Sequence, residues 1–143
     1  MKNTIGFLLM FPILLWGAAP AAIAGDSTIS TIVEIVMHLN HYPSDSEKQT
    51  LARIVRDDQA TAGEKTLAGA LMRMRHSVSG SDATALRKLY WNTHASKQES
   101  KLAEILLGIK HHPSSSDRRQ LQSLPGASSA GKASQRKSGS WGY

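Results

Sequence analysis

The chain has no cysteine, so no disulfide can stabilise it and no lipid-modified cysteine can anchor it. Stability has to come from a packed core. Catalytic signatures are missing too: there is no G-x-S-x-G, no H-E-x-x-H and no glycine-rich phosphate loop. Ser, His and Asp all occur, but no local pattern gives them catalytic roles, and an enzyme is not expected. No bound cofactor is expected either. Acidic residues are few, 11 against 17 Lys and Arg. Lys2, Lys132, Arg136 and Lys137 lie at the ends, and positions 25–124 carry only two more basic than acidic side chains. The pI near 9.8 is therefore largely a property of the tail, and no nucleic-acid partner is expected.

The one long apolar run, 5–19, is short for a membrane span and is interrupted by Gly6, Pro12 and Gly17. Lys2 precedes it and Ala22-Ile23-Ala24 follows as a small-x-small site. This predicts a secretory signal peptide at 1–24, cleaved after Ala24, and a periplasmic or extracellular protein. No transmembrane helix is expected in the mature chain.

What the sequence does have is a phrase repeated three times. It reads IVMHLNHYPSDSEKQTLARI at 35–54, ALMRMRHSVSGSDATALRKL at 70–89 and ILLGIKHHPSSSDRRQLQSL at 105–124. His41, His76 and His111 share one repeat position, at a step of 35 residues, as do Ser44, Ser79 and Ser114, and Leu51, Leu86 and Leu121. In the first part of each copy the apolar residues fall at i, i+3, i+4 and i+7. They are Ile32/Ile35/Val36/Leu39, Leu67/Ala70/Leu71/Met74 and Leu102/Ile105/Leu106/Ile109. That spacing makes one face of an α-helix.

Thr61-x-x-Glu64 and Ser96-x-x-Glu99 read as capping boxes, with Asp26 as the N-cap of the first copy. The first helices are expected over about 27–41, 62–76 and 97–111. Second helices are announced by Ser44-x-x-Glu47, Ser79-x-x-Asp82 and Ser114-x-x-Asp117. The predicted fold is all-α: three stacked helix-turn-helix repeats, about 26–60, 61–95 and 96–124, forming one solenoid-like domain over 25–124. The architecture is similar to that of tetratricopeptide repeats in period and helix count, without the W-x2-L-G-x2-Y signature. Residues 125–143, rich in Gly and Ser, read as a disordered basic tail.

Three surfaces invite a function. Met37/His41, Met72/His76 and Leu107/His111 form a stripe, flanked by Val33, Ala68 and Ala103, that suits a groove for a partner peptide. The leading expectation is thus a non-enzymatic module for protein–protein interaction in the cell envelope. The basic tail offers an alternative, a polyanion or membrane surface, helped by Arg73, Arg75, Arg87 and Lys88 beside Tyr90-Trp91. The histidines offer another, weak metal binding. Helix-to-helix spacing of about 8–10 Å argues against one ion shared by His41, His76 and His111. Each is expected to cap the carbonyls of its helix end instead. His38 with His41, or His111 with His112, remain candidate weak pairs. Asp57-Asp58 reads as a solvated helix end. The third hairpin stops at Pro125, so apolar surface is expected beside 102–109 as a docking site for a partner or a second copy.

Overall fold

The computed structural model describes residues 24–125. They form α1 (Ala24–His38), α2 (Asp45–Arg56), α3 (Ala62–Arg73), α4 (Gly80–Tyr90), α5 (Lys97–Gly108) and α6 (Ser115–Gln122). The signal-peptide reading of 1–24 and the tail reading of 125–143 fall outside the described residues, save that Ala24 opens α1 and Pro125 follows α6. None of the described helices is long and apolar enough to cross a membrane.

The helical faces read from the sequence are the ones that pack. All twelve residues at the i, i+3, i+4, i+7 positions are buried, Ile32, Val36, Leu67, Leu71, Leu102 and Leu106 completely. Leu51, Leu86 and Leu121 of the second helices are equally inaccessible. Burying a side chain of this size stabilises by about 1.5–3 kcal/mol, so these columns hold the fold. Reciprocal capping boxes start α2, α3, α5 and α6, each pairing a Ser or Thr hydroxyl with the backbone of a Glu or Asp three residues on. α1 begins two residues before Asp26, so Asp26 is an interior residue and not the N-cap.

The result is an all-α bundle of six helices packed in sequence, as a helical repeat requires: α1 on α2, α2 on α3, α3 on α4 and α4 on α5. The ends of the array also meet. α1 touches α5 and α6 as well as α3, and α3 touches α5. This overturns the expected apolar surface beside 102–109. Leu102, Ile105, Leu106 and Ile109 are at most 3% exposed, on a helix that meets α1, α3 and α4.

The cap expected at Ser79 is also different. Its hydroxyl accepts no backbone N–H and instead donates to Asp82 Oδ2 at 2.8 Å. Asp82 is drawn away by Arg73, whose Nη2 and Nε reach its two oxygens at 2.5 and 3.2 Å. The side-chain bond from Arg73 holds the Asp82 carboxyl below its ordinary value, against the opposing effect of burial. The stabilising contribution is therefore complete above about pH 4 and is lost as the pH falls through the lowered value. Asp82→Asn is expected to reduce stability at neutral pH by about 1 kcal/mol or less, since Arg73 is largely in water, and to flatten the acid limb. Urea midpoints measured across that pH range check both effects.

Candidate metal centre

The first helices stop three residues short of the histidines, at His38, Arg73 and Gly108. Leu39, Met74 and Ile109 come next and are buried, which pins the chain where it leaves each helix. Met74 and Ile109 have extended backbone, with ψ of 137° and 128°. The sequence expectation that each histidine sits in the last helical turn and caps its carbonyls is therefore corrected. His38 does occupy that place in α1, its Nδ1 3.0 Å from Glu34 O. His41, His76 and His111 lie beyond, in the turns between the paired helices.

Those turns are unusual. His41 and His111 have φ of 70° and 72°, the left-handed region, and are the described non-glycine residues that do so. The N–H of Tyr42 donates to Asn40 O at 2.9 Å, and that of His112 to Lys110 O at 3.0 Å. An i→i+2 bond around a residue of positive φ makes a γ-turn of the rare, strained kind. Such backbone costs about 1–3 kcal/mol per residue and persists when its surroundings enforce it. Pro43 and Pro113 contribute by holding Tyr42 and His112 extended. In the middle copy Val78 stands in place of proline.

Main-chain bonds then lace the three turns together. The His41 N–H donates to His111 O at 2.6 Å, and the His111 N–H to His76 O at 2.7 Å. The first link joins positions 70 residues apart, and the closure of α1 against α5 and α6 makes it possible. The imidazoles end up in a triangle, with ring centroids 5.5 Å (His41–His76), 5.3 Å (His41–His111) and 5.0 Å (His76–His111) apart. The expected spacing of about 8–10 Å applies to helix axes. It does not apply here, because the turns leave the helices and converge.

One ligand atom from each histidine lies within 4.8 Å of the other two. His76 Nδ1 and His111 Nδ1 are 3.2 Å apart. Two nitrogens on one tetrahedral zinc, with Zn–N of about 2.0–2.1 Å, stand about 3.3 Å apart, so this pair is already at ligation distance. His41 Nδ1 is 2.8 Å from Asn40 Oδ1. An amide oxygen can only accept, so it fixes Nδ1–H on His41 and leaves the Nε2 lone pair available. All three rings are exposed, so the side away from the protein is open to water or a further ligand.

The remaining candidates are not brought into this cluster. Met37, Met72 and Leu107 are half-buried against the core, and Val33, Ala68 and Ala103 are buried in it. Of the stripe, the three histidines alone are exposed. His112 turns its Nδ1 to Pro113 O at 3.3 Å, and Asp57 Oδ1 accepts the Gln59 N–H at 2.9 Å.

A second polar cluster at the opposite ends of the first helices was not singled out from sequence. Glu64 and Glu99 are buried there. Beyond capping its own helix, Glu99 accepts the Thr61 hydroxyl at 2.5 Å, tying the second hairpin to the third. Burial alone would raise the Glu99 carboxyl, but bonds from Thr61 and Ser96 outweigh it and hold it below its usual value. Glu64 is raised by its burial and, further, by the nearby Glu99 charge. The signal that could have revealed this cluster is Gly63, placed beside a capping Glu inside a helix.

Comparison of the chain with protein-family models, curated proteins and solved structures returns no match.

Proposed function

We propose that the chain is a metal-binding protein that holds one divalent ion on the imidazoles of His41, His76 and His111. The carrying observation is that their ligand atoms lie within 4.8 Å of one another. Three neutral nitrogen donors suit zinc, copper(II) or nickel and give magnesium or calcium little. The backbone supports the same reading. Glycine would take φ of about 70° without steric cost, so folding alone favours glycine at positions 41 and 111. Ligation accounts for an imidazole there. With three protein ligands the ion keeps an open position for water or an incoming donor.

The reading is one of ion binding, carried by the three imidazoles. Export, as expected from 1–24, would place the site in the periplasm or outside the cell. A second reading, an interaction module, is favoured by the all-α bundle and by Tyr42 and Trp91, large side chains 58% and 77% exposed.

Calorimetric titration with zinc tests the metal reading. One ion per chain is expected, reversed by a chelator. His111→Gly is the informative variant, because glycine keeps the turn while removing the ligand. It should retain the helical circular dichroism spectrum and bind zinc about tenfold more weakly or worse. An unchanged isotherm for His111→Gly would overturn the reading.

A further inference from the structure

His76 belongs to two features at once. It is one corner of the histidine triangle, and it lines a cleft of about 610 Å³ between the first and second hairpins. The other walls are Tyr42 and Lys48 from the first hairpin, with Met72, Arg73 and Arg75 from the second. Among the described residues, three cations line this cleft and no carboxylate does. Arg73 is committed to Asp82, which is buried behind it. Lys48 stands 5.4 Å from the centre of the Tyr42 ring, and its ion pair with Asp45, at 3.6 Å, is to a side chain almost wholly in water. Arg75 is exposed, and its guanidinium makes no ion pair among the described residues.

Resting on the metal reading above, we propose that this cleft is the binding site for a small organic oxyanion, a phosphate monoester or carboxylate. The anion takes the open position of the ion held by His41, His76 and His111. Three neutral imidazoles leave a divalent ion its full charge, so an anionic fourth ligand is favoured over a neutral one. Arg75 supplies the planar fork that pairs with two oxygens of a phosphate or carboxylate, and Lys48 adds a point charge. Tyr42 and Met72 give an aromatic and an apolar wall for the organic part. The volume is that of a small-molecule site, well beyond what a bare anion fills.

The test uses the folded chain titrated first with zinc and then with phenyl phosphate, benzoate or inorganic phosphate. Zinc-loaded wild type is expected to bind phenyl phosphate or benzoate more tightly than inorganic phosphate, and the comparison of the two aryl probes distinguishes the phosphate from the carboxylate source. Arg75→Gln should leave zinc affinity unchanged and weaken the aryl probe by about five- to tenfold. Arg75 is exposed, so the variant folds, and its circular dichroism spectrum verifies this. Omitting zinc should weaken the probe further. If zinc binds but none of the probes does, or if the probe binds Arg75→Gln as it binds wild type, this inference is overturned while the metal site stands. If zinc itself does not bind, both fall.

Discussion

Leu71→Ala is expected to lower the unfolding free energy by about 2–5 kcal/mol, the range for truncating a fully buried leucine. Leu71 is completely inaccessible and lies on α3, the helix that meets α1, α2, α4 and α5. A cavity there would lie in a helix packed against four others, two of which, α2 and α5, start in reciprocal capping boxes, so local collapse cannot fill it cheaply. For a domain of this size such a loss is a large share of the total, and part of the population should unfold at ambient temperature. His76→Ala is the control. Its ring is exposed, and the main-chain bond to His111 runs through the His76 carbonyl, which alanine keeps. The variant should melt within about 0.5 kcal/mol of wild type. Chemical denaturation of the two proteins side by side checks the contrast. Equal losses would mean that the histidine triangle holds the fold together as much as the core does.

The contrast between Leu71 and His76 also marks what the sequence could disclose. Helix faces and capping boxes are local: spacing of 3 and 4 residues and a hydroxyl three residues before a carboxylate are enough to place them. The buried columns and four reciprocal caps were therefore legible. The approach of the histidines was not. It depends on helices ending at His38, Arg73 and Gly108, on positive φ at two residues, and on contact between the first hairpin and the third. The last of these is a relation across 70 residues that periodicity does not encode. A repeat pattern is equally compatible with an open array and with one whose ends meet, and the spacing argument against a shared ion assumed the former. Pro43 and Pro113, two residues after histidine, were visible hints that the chain turns sharply there, since the residue before proline cannot continue a helix. Ser79-x-x-Asp82 failed as a capping box for a similar reason: the pattern is local, but Arg73 from the preceding helix competes for the carboxylate.

Gly63→Ala is expected to destabilise by about 1.5–3 kcal/mol, the cost of losing charge-assisted hydrogen bonds, where a glycine-to-alanine change within a helix ordinarily stabilises. A Cβ at position 63 would fall within the van der Waals envelope of Glu99 Oε1. That oxygen belongs to a flexible side chain, but it is not free to move. Glu99 is buried and accepts from the Thr61 hydroxyl at 2.5 Å and from the Ser96 N–H at 2.7 Å. Displacing it breaks the bridge between the second and third hairpins and leaves a buried carboxylate short of partners. The sign of the effect should depend on Glu99 alone. In a Glu99→Ala background the obstruction is gone, and Gly63→Ala should then stabilise by about 0.5–1 kcal/mol, as helix propensity dictates. Acid should act in the same direction. Because Glu99 is held below its ordinary value, the stability it confers is present above about pH 4 and is lost as the pH falls through the lowered value. Glu64, raised by burial, works the other way and loses its favourable contribution as the pH rises, so the pH series is read on the difference between wild type and the Gly63→Ala variant and not on either alone. A double-mutant cycle from urea denaturation at neutral pH yields the coupling. Additive effects of the two substitutions would show that Glu99 yields freely and that the bridge to Thr61 contributes nothing to joining the hairpins.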